Sequence, residues 1–362
     1  MGGDHGVSEV VPGALDYAQA HPEDDLILVG DEERIRTIAG AGLPRVNVSV
    51  VHASQVVEMT DHPAQALREK KDASILVATD LVRRGEADAV VTAGHTGAGM
   101  AAGVLRLGRL PGVDRPALAI QMQREGRPFV LLDIGANPDS TAENLAQYAA
   151  MGALFAERVL GLARPRVALL SIGEERGKGD ARITAASALL DASELNFVGN
   201  IEGKDLVRDL ADVVVCDAVL GNVVVKFFEG LSTFIFDLLR AEFRRPPRGP
   251  LAYALMKPGL DRIRSIFDYE KIGGSPLLGV RGTMIITHGR AKRRMIGYAI
   301  GVGAASARAR LPDLIVEAFR TKPPDAASPA PNAPNAASAA PTSGDPSPDA
   351  APALSVADRH GP

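Results

Sequence analysis

The chain has 362 residues, 46% hydrophobic and 23% charged, the balance of an ordinary globular protein with room for one large domain or two. A formal net charge of −4 offers no electrostatic footprint for nucleic acid, and a single cysteine excludes both a disulfide framework and a cysteine-rich metal site and points to a reducing compartment. No run of about 18 uncharged apolar residues is present, so no transmembrane helix is expected, and the opening MGGDHGVSEVVPG lacks the regions of a signal peptide.

MGGDHG is a glycine-rich turn of the kind that follows a strand in α/β proteins. A helix is predicted from Ser8 to Ala20, with Pro12 tolerable in its first turn. Leu26–Val29 reads as a buried strand, and Asp31 caps a helix to Ala39. Val46–Val51 alternates as a strand does. Pro63–Arg84 is helical, broken at Asp72–Ser74. Ala87–Thr92 is a strand that Gly94-His95-Thr96-Gly97 turns into a helix ending near Leu107. Pro116–Gln121 and Phe129–Ile134 read as paired strands. Ser140 and Glu143 form an S-x-x-E capping pattern that opens a helix to Leu160. Strands follow at Val167–Ile172, Asn196–Val198, Val213–Cys216 and Thr283–Thr287. Helices run to Leu190, over Asn222–Phe243 and through Arg308. Strands alternating with helices predict an α/β fold with a mostly parallel sheet covered on both faces.

Two segments break this pattern. Arg244–Phe267 is punctuated by proline and glycine and holds an apolar patch, Leu251–Met256, among Arg244, Arg245, Arg248, Lys257, Arg262 and Arg264. It reads either as a surface for a membrane or an acidic partner, or as a helical arm in a dimer. Residues 322–362 are rich in Pro, Ala and Ser and are expected to be a disordered tail after a domain of residues 1–321.

Apolar strands that end in polar, glycine-rich loops place chemistry at strand ends. In IGEERGKGD (Ile172–Asp180), Lys178 and the backbone N–H groups of the next helix can bind an anion, or the loop is a solvated turn. It is not a Walker A loop, being one residue short with Gly179 in place of Ser or Thr. Gly97, Gly99 and Ala102 fit G-x-G-x-x-A, better read as close helix–sheet packing than as a dinucleotide site. Asp133 before Gly135-Ala136-Asn137 is either catalytic or a loop organiser. Asn200 and Glu202 carry the same ambiguity. Asn222 and Lys226 share one helix face, suited to a phosphate. Cys216 sits in VVVC and reads as core. His5 and His288 are the best-placed acid/base candidates. No histidine spacing implies a metal, and no G-x-S-x-G elbow is present.

Taken together, MGGDH, HPAQALREKKDAS, AGHTGAGMA, RPALA, LLDIGAN, IGEERGKG, NFVGNIEGKD, ADVVVCDAVLGNVVVKFFEG and GGSPLLGVRG…ITHG resemble the PlsX family of phosphate acyltransferases, in that family's order across most of residues 1–310. The resemblance implies a three-layer α/β/α fold like isocitrate dehydrogenase or phosphotransacetylase. It implies transfer of a long-chain acyl group from acyl carrier protein to inorganic phosphate, without a cofactor. It further implies a homodimer in the cytoplasm, associated with the inner face of the cell membrane, and a membrane glycerol-3-phosphate acyltransferase as the partner that takes the acyl phosphate. On this reading Lys178, Asn222 and Lys226 bind phosphate. Asp4, His5, Asn137, Asn200 and His288 are candidates for orienting groups or acid/base.

The sequence departs from the family at four places. The family has a strand before MGGDH; a missing central strand would leave buried backbone groups unpaired, so the expectation is a start upstream of Met1. His95 stands where the family usually has Asn. RRPPRGP is expected to shorten the arm, and the tail is an addition. The rival readings are a short-chain, coenzyme A-dependent phosphotransacetylase, an NAD(P)-dependent dehydrogenase of similar fold, and a non-catalytic scaffold that binds carrier protein at a membrane.

Overall fold

The structure, a computed structural model, describes residues 1–124, 127–245 and 248–320. The stretch 322–362, expected to be disordered, lies outside the described residues. The chain opens with α1 (Val7–Ala20), β1 (Leu26–Gly30), α2 (Glu32–Ala39), β2 (Val48–His52), α3 (Pro63–Glu69), α4 (Ser74–Arg83), β3 (Ala89–Thr92) and α5 (Thr96–Ala102). It continues with β4 (Ala117–Met122), β5 (Phe129–Leu132), α6 (Ala142–Arg158), β6 (Val167–Leu170), α7 (Ala181–Asp191), β7 (Phe197–Ile201) and β8 (Val213–Val215). Last come α8 (Ala218–Phe243), α9 (Gly249–Ile266), β9 (Ser275–Leu278), β10 (Thr283–Ile286), α10 (Arg293–Arg308) and α11 (Leu311–Arg320).

Eight strands form one sheet in the order β3-β10-β9-β4-β5-β8-β6-β7, while β1 and β2 form a separate parallel pair. β5, β8, β6 and β7 run parallel, as do β3 and β10; β4 and β9 supply the antiparallel pairings between these blocks. Period-two alternation sorts the central strands. Val130, Leu132, Leu169, Val213 and Val215 pack with α6, α7 and α11. Leu131, Leu170, Val214 and Cys216 face the other way, with Val225 of α8. Both faces are therefore covered, and each strand reads as an unbroken apolar run.

Several expectations need correction. β9 was not foreseen, because Pro276 demotes SPLL as a strand. β9 meets β10 through Ser275 and Pro276 and β4 through Leu277 and Leu278, so Pro276 stands outside the β4 ladder. α11 was also unforeseen. The capping box lies one residue later than Ser140. Thr141 Oγ1 accepts from Asn144 N at 3.3 Å, and Asn144 Oδ1 accepts from Thr141 N at 3.1 Å. Ser140 Oγ instead donates to the Asn137 carbonyl at 3.1 Å. The proline-punctuated insert, for which a helical arm was one of two readings, is helical: α9 holds 18 residues with a proline in its first turn and Pro258 inside. α9 buries none of its residues, so a solvent-facing irregularity at Pro258 displaces no packed neighbour. Residues 246 and 247 lie outside the described set. Finally, α8 is long and apolar enough to cross a membrane by length and composition, unlike the expectation from uncharged runs alone. Its first turns are instead built into the protein through Ala218, Gly221 and Val225.

The N-terminal ends of the parallel strands are tied by charge. Asp212, ahead of β8, accepts from Arg166 N and Nε at 2.9 Å each, and its carboxylate also lies 3.5 Å from Arg124 and 3.2 Å from Arg127. Burial opposes ionisation of Asp212, but the Arg166 bonds and the neighbouring guanidinium charges outweigh it and hold the carboxyl below its usual range. Arg124 is itself buried, with its side chain 3% exposed. Asp212→Asn is expected to cost about 2 kcal/mol, because it removes the buried charge that Arg166 bonds while Asp209, 2.7 Å from Arg124, remains as the anion of the cluster. Since the folded pKa is depressed, the Asp212 contribution is full above the unfolded value of about 3.9 and disappears as pH falls through the folded value. Denaturant titrations should therefore show the gap between parent and variant closing only below about pH 4.

Candidate active site

The site is assembled from loops at the C-terminal ends of β5, β6 and β8. Asp133 follows β5 and is fully buried. Its carboxylate accepts from Leu118 N at 3.1 Å, Gly135 N at 3.1 Å, Ala136 N at 3.0 Å and Asn137 N at 2.8 Å. Burial pushes its pKa up, and these N–H donors pull against that rise. Among the described residues the carboxylate's partners are its own loop and β4, which is the arrangement of a loop organiser. Asn137 Nδ2 donates to the Pro116 carbonyl at 2.6 Å and to Asp133 at 3.0 Å, so its amide braces the same loop.

The loop after β6 carries Lys178. Lys178 folds its aliphatic stem over Gly173, where a Cβ would lie 3.1 Å from Lys178 Cγ. Its ammonium is exposed and has no hydrogen-bond or ion-pair partner among the described residues. Asn200 lies beneath in β7. Asn200 Nδ2 donates to the carbonyls of Lys178 at 3.3 Å and Glu175 at 3.5 Å, pinning the loop. Asn200 Oδ1 is buried and has no hydrogen-bond partner among the described residues. Glu202 pairs with Lys204 at 2.8 Å and is part of a surface ion pair.

α8 begins where β8 ends. Asp217 caps it by accepting from Val219 N and Leu220 N at 3.0 Å each, and it receives Arg182 at 3.0 Å. Gly221 lies so close that a Cβ there would collide with the Asp133 carbonyl. The next residue, Asn222, is therefore carried outward at a fixed distance from the β5 loop, with Lys226 four residues on and Glu229 on the same face. Asn222 and Lys226 are both exposed.

Glu229 links this helix to a second group of loops. Its carboxylate takes Lys226 Nζ at 3.2 Å, Arg290 at 2.8 Å and His288 Nε2 at 3.4 Å. The Met1–His5 turn reaches the same place: Asp4 N donates to the Gly289 carbonyl at 2.8 Å. Asp4 and His5 are exposed at the surface of that turn. Along α8, Asn222 to Glu229 is about 10 Å at 1.5 Å per residue, so one helix face runs from the turn beside the Asp133 loop to His288 and the Asp4 turn. His95 is spent elsewhere, its Nδ1 accepting from Gly97 N at 3.1 Å as the cap of α5. Cys216 is fully buried and burial drives its thiol pKa well up, so it is not available as a nucleophile.

Sequence reasoning overlooked Glu229 and Arg182. Glu229 was hidden inside a long apolar helix, although its i+3 spacing from Lys226 was readable. Arg182 joins three loops through Asp180 at 3.1 Å, Asp217 at 3.0 Å and the Ser140 carbonyl at 3.3 Å, a long-range role with no sequence signature.

In fold the chain is similar to phosphotransacetylases. A phosphotransacetylase from Streptococcus pyogenes superposes with a TM-score of 0.54 at 16% identity, covering 82% of this chain and 91% of that one. The EutD phosphotransacetylase from Staphylococcus aureus gives 0.53 at 15%, covering 83% and 92%. At these identities the likeness defines the class by its α/β frame alone. Sequence narrows it. Residues 1–312 match the model of a fatty acid synthesis protein family. The "Phosphate acyltransferase" of Desulfitobacterium hafniense (strain Y51) is 47% identical over 303 residues, 83% of this chain and 90% of that protein. That of Myxococcus xanthus (strain DK1622) is 45% identical over 313 residues, 85% and 88% respectively. The chain belongs to this family, the PlsX phosphate acyltransferases, and is an acyltransferase.

His288 is buried enough that desolvation lowers its pKa; Glu229 works to raise it, while Lys226 and Arg290 lower it further. Glu229→Gln removes the anion that raises it, so the His288 midpoint in an NMR titration should move to still lower pH. A midpoint that stays or rises would show that Glu229 does not set the charge state of this imidazole.

Proposed function

We propose that the protein moves a long-chain acyl group from acyl carrier protein to inorganic phosphate, releasing acyl phosphate. The observation that carries this reading is the family match over residues 1–312, joined to relatives named phosphate acyltransferase. The site geometry supports it. Lys178 stands exposed on the loop ahead of α7, and Asn222 and Lys226 are exposed on the first turns of α8; cations and an amide near helix N-termini suit a phosphate. A phosphate oxygen attacks the thioester carbonyl, the C–O bond forms, the C–S bond breaks, and the carrier departs as a thiolate that takes up a proton. Phosphate is itself the nucleophile, so holding it against the carbonyl supplies much of the acceleration. N–H donors and cations aimed at the developing oxyanion supply more, on the order of 10²–10³ per donor. The buried, protonated Cys216 fits a reaction without an acyl-enzyme. His288, held by Glu229, is the group we assign to proton transfer, with Asp4 and His5 lining its approach.

We further propose that α8 and α9 form the arm on which a second copy and the inner face of the cytoplasmic membrane meet the enzyme. The two helices pack through Phe243 on Tyr253 and Phe236 on Phe267, leaving Phe227, Phe234, Leu238, Leu251, Leu255 and Met256 exposed. Arg262 and Arg264 with the flanking Arg244, Arg245 and Arg248 suit anionic headgroups. Acyl phosphate made there passes to a membrane glycerol-3-phosphate acyltransferase.

Incubation with palmitoyl carrier protein and phosphate should release free carrier and an acyl phosphate that hydroxylamine traps. Turnover of acetyl-coenzyme A in place of palmitoyl carrier would replace the reading with that of a short-chain phosphotransacetylase. Lys178→Ala should raise the phosphate KM about tenfold or more, the loss of one charge-assisted contact of roughly 1.5–3 kcal/mol; an unchanged KM would remove Lys178 from the phosphate site. The double variant Leu255→Glu, Met256→Glu should sediment with phosphatidylglycerol vesicles at least about tenfold less than the parent. Equal sedimentation would sink the membrane role of the arm.

A further inference from the structure

α7 and α8 both start at the strand-end loops, and each is capped by an acid. Asp180 Oδ1 accepts from Ile183 N at 2.8 Å at the head of α7. Asp217 Oδ1 accepts from Val219 N and Leu220 N at 3.0 Å each at the head of α8. A carboxylate suits a helix N-terminus, where unpaired N–H groups and the macrodipole are positive. The same carboxylate opposes any second anion that comes there. Donation from Ile183 N, with the Arg182 charge beside it, holds the Asp180 carboxyl below its usual range against a small desolvation. The head of α8 is engaged further. Ala218 N donates to the Asn137 carbonyl at 3.3 Å and Gly221 N to the Asp217 carbonyl at 2.9 Å, so its first four N–H groups all have acceptors. What α8 offers an anion is therefore side chains, Asn222 and Lys226, and not backbone.

One guanidinium answers both caps. Arg182 Nη2 donates to Asp180 Oδ2 at 3.1 Å and to Asp217 Oδ2 at 3.0 Å. Each acid thus turns one oxygen to its helix and the other to the same nitrogen. The two carboxylates stand no farther apart than those two bonds laid end to end, close enough to repel when no cation lies between them. Arg182 Nη1 donates to the Ser140 carbonyl at 3.3 Å, which fixes the group from a third side, next to the Thr141 cap of α6. A planar fork can meet three acceptors in this way, and the compact ammonium of a lysine cannot. The cluster is also partly withdrawn from solvent, with the Asp217 side chain 14% exposed and that of Arg182 29%. Screening there is weaker than at an open surface ion pair.

We propose that Arg182 is a positioning residue: it couples the heads of α7 and α8 by neutralising their two acid caps, and this coupling sets how tightly phosphate binds at Lys178, Asn222 and Lys226. The second half rests on the reading of the site given above; the first half does not. Through Asp180, two residues beyond Lys178, Arg182 fixes the end of the loop that carries that cation. Through Asp217 it fixes the turn from which Asn222 and Lys226 follow. Its terminal nitrogens are turned to the caps and the Ser140 carbonyl, so it acts through them and not on the phosphate.

Hydrogen exchange on the full chain without phosphate tests the coupling. In Arg182→Gln the two caps repel, and exchange at Ile183, Val219 and Leu220 should quicken at least about fivefold, at both helix heads together. In the triple variant Arg182→Gln, Asp180→Asn, Asp217→Asn it should return to within about twofold of the parent, because asparagine caps a helix about as well as aspartate and carries no charge. Unchanged exchange in Arg182→Gln, or a triple variant as fast as the single one, overturns the coupling. Should Arg182→Gln not fold, folding of the triple variant supports the role of charge and its failure to fold overturns it. Calorimetric titration with inorganic phosphate tests the consequence. Arg182→Gln should weaken binding about tenfold and raise the phosphate KM alike, with kcat at saturating phosphate within about twofold of the parent. The triple variant should regain at least the parent's affinity. Unchanged affinity in Arg182→Gln, or a loss that the triple variant keeps, overturns the electrostatic role at the phosphate. A parent that binds no phosphate would sink the acyltransfer reading, while the exchange result still decides the coupling.

Discussion

A carboxylate buried among apolar strands is costly unless donors surround it, and Asp133 is surrounded. Its loop curls around it so that successive backbone N–H groups point inward, and Leu118 of β4 adds one more. The loop thus fixed presents its own carbonyls outward. The Asn137 carbonyl receives Ala218 N from the start of α8, and the Ser140 carbonyl receives Arg182 from α7. Arg182 in turn grips Asp217, the cap of α8. One ion at the end of β5 therefore sets where α7 and α8 begin, and with them the positions of Lys178, Asn222 and Lys226. Polar networks of this kind lose more than one bond when a single member is removed.

Much of this was legible in the chain. The apolar runs at Phe129, Val167, Val213 and Thr283 gave strands within a few residues of their true ends, and the polar clusters after them gave the site loops. Periodicity supports such inferences because the strands are buried on both faces and carry few polar interruptions. β9 was not legible, since four residues with a proline carry no periodic signal; only its neighbours β4 and β10 make it a strand. The antiparallel pairings follow from β9, so strand direction was hidden with it. The capping box slipped by one because Ser140 and Thr141 both qualify as caps, and only the position of Tyr148, 3.2 Å from Ser140 Oγ, decides between them.

The candidate site divides along similar lines. Residue types in the loops and helix turns after the strands singled out Lys178, Asn200, Asn222, Lys226 and His288 as candidates, because a polar residue after an apolar run is a local feature. What each does depends on partners far away in sequence. Asn137 and Asn200 are both asparagines after strands, yet Asn137 spends its amide on Pro116 and Asp133 while Asn200 keeps a buried, unpartnered oxygen. Glu229 acquires its role only because His288 and Arg290, some sixty residues on, are brought to it. For Arg244–Phe267 the sequence left two readings open, and the helix of the second is the one present. Prolines lower helix propensity when a helix must hold itself together in isolation, but Pro258 sits where α9 buries nothing and its neighbour α8 supplies aromatic contacts on either side.

α8 is one unbroken rod of 26 residues, and its ends have different surroundings. Near its start Gly221 leaves no gap against the Asp133 carbonyl, which makes that point a fulcrum. From there Lys226 is about 7.5 Å along the axis and Phe243 about 33 Å, at 1.5 Å per residue. A sideways push of about 4 Å on the far tip would swing Lys226 by about 1 Å, if the helix stays straight. Errors of that size in placing a reacting group can change rates by about 10²-fold. Whatever covers the exposed apolar tip thus acts on the long arm of a lever whose short arm carries Asn222 and Lys226, the amide and cation proposed for the phosphate.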